Sequence, residues 1–382
     1  MSKRKFLIAY DICREVLSQV GQNIPETVYL YQTTAMAKTA ARMVEGLSDK
    51  DLLAMKEMEP QLAAVMSFYS VMTRAACLAK PEMLPFLACR MVQLTMVNGL
   101  CMDSLTGFFV LAGLLCNITL LCKKSMGDEI DILCATNIGK AAMTCLSQRY
   151  NAEKIPVTYS LYYSFVAWHS EPLQICAEKL QRGFEVGMSL GESHAAFYNS
   201  LTQVTFGILA GERLPALLQK VDYYSGLANI YKDDFGMRCF SFHRHTIEIL
   251  IGGGESWWMD IKLQCLALQP AKVLENLYFF SALKTYWQGQ TKRCKYYVEK
   301  MLAVIATSNQ FIAGPQTYYF IVFINGLNTL ELMKSHQTPT LMRKLKSTAV
   351  KALAVLKVAS AYSSWNFQNK VSYVPCLFSV RY

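Results

Sequence analysis

The chain has 382 residues, 53% of them hydrophobic and only 17% charged. A composition of that kind can bury a large core, which excludes a disordered chain. The net charge of +10 gathers at one end: Glu331 is the last acid, and Lys334, Arg343, Lys344, Lys346, Lys351, Lys357, Lys370 and Arg381 follow it. A general nucleic-acid binder spreads its cations through the fold among aromatic or groove-reading elements, so no specific nucleic-acid partner is expected. Thirteen cysteines without a Cys-x-x-Cys pair are too sparse for a disulfide scaffold. They read as reduced thiols of a cytoplasmic protein. At the amino terminus, Lys3-Arg4-Lys5 precedes only five apolar residues before Asp11, too few for a secretory signal.

Helical signals dominate in chain order, and period-two strand patterns are scarce. Ser48-Asp49-Lys50-Asp51 ahead of Leu52-Leu53 predicts a helix start with Ser48 as N-cap and an acid at the third position. Pro81 predicts the first turn of a helix ending near Gly99, with Leu84, Leu87, Ala88, Met91, Val92 and Thr95 on one face. Breaks at Gly127-Asp128, Ser170-Glu171, Gly211-Glu212, Gly252-Gly253-Gly254 and Gly289-Gln290 are spaced by 43, 41, 41 and 37 residues. That rhythm predicts an all-α protein, an α/α superhelical solenoid of stacked hairpins with a tetratricopeptide-like period of about 40. The clearest unit runs from Ala282 through Trp287 and Gly289 to Cys294 and Tyr297. Trp287 is expected to be buried against the Gly289 turn.

Two uncharged windows, 104–122 and 301–330, invite a membrane reading. The first carries 19 residues, which at about 1.5 Å per residue nearly cross a hydrocarbon layer of ~30 Å. The competing reading is an inner helix packed on all sides, which suits Thr106, Gly107 and Gly113 better. The second window is interrupted by Gly314 and Pro315.

Motifs that carry chemistry are missing. Gly139-Lys140 lacks the first glycine and the metal-binding hydroxyl of a phosphate-cradling loop. The five histidines, His169, His194, His243, His245 and His336, have no metal-ligand spacing. His243 and His245, two apart, point to opposite sides of a helix. Glu192 and Glu212 follow turn glycines and read as structural. No enzyme activity, cofactor or metal is therefore expected. Trp257 and Trp258 beside the glycine cluster read as core packing or, more sharply, as a partner anchor.

Leu53-Ala54-Met55-Lys56-Glu57-Met58, then Lys80-Pro81-Glu82-Met83, then Met91-Val92-Gln93-Leu94-Thr95-Met96-Val97-Asn98-Gly99 occur in an order that resembles a known family. Phe184-Glu185-Val186-Gly187, Leu190-Gly191-Glu192 and the terminal Trp365-Asn366-Phe367-Gln368-Asn369-Lys370 extend the likeness to most of the chain. It resembles the helical segment of very large predicted-ATPase and histidine-kinase signalling proteins. The resemblance implies a tetratricopeptide-like superhelix lying between catalytic modules, none of whose motifs is present here. After Lys370 the pattern departs at Val374-Pro375-Cys376. The expected organisation is one helical domain over 1–373 and a divergent tail over 374–382.

The expected function is a non-catalytic interaction or regulatory scaffold in signal transduction, with protein partners. The alternative is a fragment of a larger ATP-dependent signalling kinase. The candidate interaction residues are Arg343, Lys344, Lys346, Lys351 and Lys357, with Trp257 and Trp258. On a helical projection the five cations lie opposite an apolar face of Leu341, Leu345, Ala349, Ala352, Leu353 and Leu356. Such a face suits an acidic partner or an anionic membrane surface.

Overall fold

A computed structural model of the chain describes residues 3–121, 132–149, 151–252, 271–307, 315–334 and 338–379. Among the described residues are seventeen α-helices and no strand. The first five are α1 (Lys3–Gln19), α2 (Leu30–Met43), α3 (Asp49–Ala54), α4 (Pro60–Ala79) and α5 (Leu84–Asn98). Ser48 caps α3 as its sequence predicts: its hydroxyl accepts from the Asp51 amide, and the Asp51 carboxylate accepts from the Ser48 amide at 2.9 Å. Pro81 opens a single 3₁₀ turn before α5, and all six expected face residues of α5 are buried. Gly99 ends the helix at φ +105°, where a Cβ would stand 2.4 Å from the Lys56 carbonyl oxygen. Only glycine allows that approach.

Next come α6 (Ser104–Leu121), α7 (Ile132–Gln148), α8 (Ile155–Phe165), α9 (Leu173–Ser189), α10 (Ser193–Ala210), α11 (Leu214–Ile230) and α12 (Asp234–Ile251). The last five are α13 (Ala271–Trp287), α14 (Thr291–Thr307), α15 (Pro315–Met333), α16 (Pro339–Tyr362) and α17 (Ser364–Ser379). From α9 to α12 the helices are joined by three-residue turns in which Gly191, Gly211 and Lys232 adopt positive φ. Helices α9 and α11 begin at Leu173 and Leu214, and α10 and α12 at Ser193 and Asp234, a shift of 41 residues in each pair. Gly252 and Gly289 also take positive φ, so these expected breaks are turns. The expected breaks at Gly127 and at Gly253-Gly254, and His336, lie outside the described residues.

Helix α6 coincides with the first uncharged window. Its side chains from Ser104 to Cys116 are nearly all buried, among α5, α7, α8 and α15. Gly107 lets Met91 of α5 approach and Gly113 lets Phe165 approach. Its polar groups find protein partners: Ser104 Oγ accepts from Thr95 Oγ1 at 2.8 Å, and Thr106 meets Ser70 at 3.2 Å. Among the described residues, no helix is long and apolar enough to cross a membrane.

Six helices make a closed circuit of contacts. Helix α6 packs on α8, α8 on α10, α10 on α12, α12 on α13, α13 on α15, and α15 returns to α6. The intervening helices cover this circuit: α7 lies on α6, α9 on α8 and α10, α11 on α10 and α12, α14 on α13 and α15, and α16 on α15. Most circuit helices are buried on several sides, which is why their sequences lack a clean polar face; α12 is the exception, with Asp234, Arg238, Ser241, Arg244 and Glu248 along one side. Helices α9 and α14, by contrast, alternate buried and exposed positions. One apolar core extends from Tyr10 of α1 to Phe367 of α17, and a second cluster joins α9 to α12 around Phe184, Phe197 and Phe240.

One expectation is corrected here. Trp287 is not buried at the α13–α14 turn but is 69% exposed. Helix α13 is enclosed as far as Thr285 and emerges in its last turn, so the junction is filled by Cys294 and Val298 beyond the turn instead.

Candidate functional site

Helix α16 begins at Pro339, with Thr338 as N-cap accepting from the Leu341 amide. Leu345, Ala349, Ala352, Leu356 and Ala359 are buried against the body, while Leu341 and Leu353 are half-buried at the margins. Arg343, Lys344, Lys346, Lys351 and Lys357 are all exposed. The split between an apolar inner face and a cationic outer face is thus present in the folded chain, and neither α16 nor α17 contains an acid. Glu331, the last acid, pairs with Lys334 at the end of α15. Trp257 and Trp258 lie outside the described residues and are not placed relative to this face.

The underside of the same helical pair is a polar and aromatic clasp. Buried Asn366, at the start of α17, reaches the chain between α8 and α9. Its Oδ1 accepts from the Leu173 amide at 3.1 Å, and its Nδ2 donates to the carbonyls of Trp168 at 3.0 Å and Glu171 at 3.1 Å. Ser363 Oγ donates to the same Trp168 carbonyl at 2.8 Å. Phe367 packs edge-on against Trp168 and close to Tyr319 and Phe320 of α15. One turn further, Lys370 Nζ stands 4.5 Å from the Phe320 ring centre and donates to the Asn366 carbonyl at 2.7 Å. Burial lowers its ammonium to about 8. The Asn-Phe-x-x-Lys pattern is conspicuous in the sequence, whereas its partner segment 168–173 is marked only by the break at Ser170-Glu171, which says nothing of a clasp.

Other sequence features behave structurally. Gly139 lies inside α7, where a Cβ would meet Tyr162 and Val166 at 2.9 Å, so Gly139-Lys140 forms no loop. Lys140 instead borders a groove of about 600 Å³ between α7 and the turn from Val44 to Asp49, lined also by Glu45, Ser48, Asn137 and Thr144. His243 is enclosed, with Nε2 3.0 Å from Thr205 Oγ1 and Nδ1 2.7 Å from the Cys239 carbonyl; desolvation lowers its pKa to about 4. His169 is held neutral in the same way, at about 3. Among the described residues, no group of His, Cys, Asp and Glu has the arrangement of a metal site. Glu212 pairs with Lys220 at 2.5 Å and Glu192 with Arg74 at 3.8 Å. Burial pushes the Cys77 and Cys89 thiols up to about 12, away from the thiolate form.

The Leu53–Met58 block meets the residue that follows the Met91–Gly99 block. The Leu100 amide donates to the Lys56 carbonyl at 2.9 Å, and the Met58 amide to the Leu100 carbonyl at 3.1 Å. Comparison with family models, curated proteins and solved structures finds no match.

Proposed function

We propose that the chain is a non-catalytic helical scaffold that docks an acidic partner on the outer face of α16. One observation carries the reading: five exposed cations occupy one face of a helix whose other face is spent on the core, with no acid on that helix or the next. The 41-residue shift between successive helix pairs supports a tetratricopeptide-like repeat, and hairpins of that kind commonly present surfaces to other proteins. A role beside signalling ATPases or kinases rests on the sequence resemblance alone. In this reading the chain works without bound nucleotide, and partner recognition is its activity.

The test compares wild type with a variant carrying Gln at Arg343, Lys344, Lys346, Lys351 and Lys357 for retention on immobilised polyglutamate. Salt-sensitive retention of wild type alone is expected, because such attraction is screened over about 8 Å at physiological ionic strength. Equal, salt-insensitive recovery of both proteins overturns the reading. Saturable ATP binding by the isolated chain would favour the competing assignment to an ATP-dependent kinase.

A further inference from the structure

We propose that the outer face of α16 seats one acidic amphipathic helix of a partner protein, held by an apolar strip as well as by charge. This deepens the scaffold reading and rests on it. The strip is made of Val350, Ala354, Val358 and Ala361, all exposed; Val350 is 61% and Val358 41% accessible. Advancing about 100° per residue, these four fall within roughly 80° of arc in the middle of the outer face. Lys346 and Lys357 border that arc on one side, and Lys344 and Lys351 on the other. What sets the strip apart is its continuity, four exposed apolar residues in one line, along which β-branched valines also weaken the helix slightly.

The chemistry of the occupant follows from this arrangement. An apolar ridge with carboxylates on both flanks complements an apolar strip with cations on both flanks. From Val350 to Ala361 the strip runs for about 17 Å, three turns, which matches a partner helix of about 12–18 residues. Valine and alanine make a shallow surface into which the ridge of another helix fits. A bilayer fits less well, because the strip itself offers only valine and alanine, while Leu345 and Leu356 are turned into the core. Phosphates of a nucleic acid would match the lysines but leave the strip uncovered.

Fluorescence anisotropy tests this with a labelled synthetic helix of about 18 residues, bearing leucines at three-and-four spacing and glutamates on both flanks. The controls are a scrambled peptide of equal composition and vesicles of phosphatidylcholine with about one third phosphatidylserine. Wild type should bind the ordered peptide at least about tenfold more tightly than the scrambled one. The double variant Val350→Ser/Val358→Ser, folded by circular dichroism, should lose that preference while keeping salt-sensitive binding to both peptides. The double variant Lys351→Gln/Lys357→Gln should weaken both. Equal wild-type affinity for the two peptides, or a preference unchanged by the serine variant, overturns the apolar seat while leaving electrostatic docking in place. Sedimentation with the vesicles without peptide binding overturns it in favour of a membrane. Absence of binding to every probe sinks this inference and the scaffold reading together.

Discussion

Asn366 and Trp168 lie 198 residues apart and are joined by a 3.0 Å hydrogen bond from the Asn366 side-chain amide to the Trp168 carbonyl. That bond belongs to a set which satisfies three backbone groups between α8 and the start of α9, among them the Leu173 amide that a helix start otherwise leaves unpaired. It ties the last helix of the chain to its middle, beside the place where α15 returns to α6.

Asn366→Ala should therefore be costly. The substitution strands the Leu173 amide, takes a donor from the Glu171 carbonyl and leaves the Trp168 carbonyl to Ser363, a loss of about 2–4 kcal/mol. Urea unfolding followed by circular dichroism measures it. An unchanged midpoint would show that the clasp contributes nothing.

Trp168 and Trp287 should respond in opposite ways. Trp168 is fully buried against Tyr319 and Phe367, so Trp168→Ala is expected to lose about 3–5 kcal/mol. Trp287 is exposed, and Trp287→Ala should stay within about 0.5 kcal/mol of wild type. The reverse ranking in thermal unfolding would contradict the placement of both.

Lys370 gives stability a signature at alkaline pH. Its folded pKa, about 8, lies below the unfolded value of 10.5, so between these the unfolded chain binds more protons. Stability from this group is fully present above pH 10.5 and is lost as pH falls through 8. Tyrosines and thiols titrate in the same range, and the readout is therefore the difference between wild type and Lys370→Met. That difference should shift in favour of wild type from pH 8 towards 10.5; a flat difference refutes the shift.

His169 acts at the acid end. Its pKa falls from 6.5 to about 3 on folding, so protons favour the unfolded chain once pH drops below 6.5. His169→Phe should retain more of its neutral-pH stability at pH 4.5 than wild type does. Parallel pH profiles would remove the histidine from the account.

Gly99 and Gly252 share a positive φ but differ in surroundings. Among the described residues, a Cβ at Gly252 meets nothing within 4 Å, so Gly252→Ala should cost only the backbone strain of about 1–2 kcal/mol. Gly99→Ala adds a collision with the Lys56 carbonyl and should exceed that by at least about 1 kcal/mol. Chemical denaturation of the two variants side by side gives the ranking.

Local features of the fold were readable because their causes are local. The Ser48 cap, the buried face of α5 and the two faces of α16 all follow from residues three or four positions apart. Trp287 was misread because its burial depends on where α13 leaves the protein, which its own neighbours in sequence do not encode. The clasp was half visible: Asn366, Phe367 and Lys370 formed a pattern, but the acceptors on Trp168 and Glu171 are backbone carbonyls, which every residue has. In the candidate site, the cations stood out through the absence of acids after Glu331, whereas Val350 and Val358 only gained meaning once shown to be exposed.

The clasp also sets a timetable for the chain on the ribosome. Trp168 emerges 198 residues before Asn366, a delay of about 10–40 s at ordinary translation speeds. From the emergence of α10 until α15 is made, α6, α8 and α10 exist without α15 to close the circuit, and until α17 follows, the apolar sides it will cover face solvent or a chaperone. Slowing elongation should lengthen this exposure and raise the share of nascent chains that aggregate, while chaperones that hold apolar segments should be needed most before α17 is made.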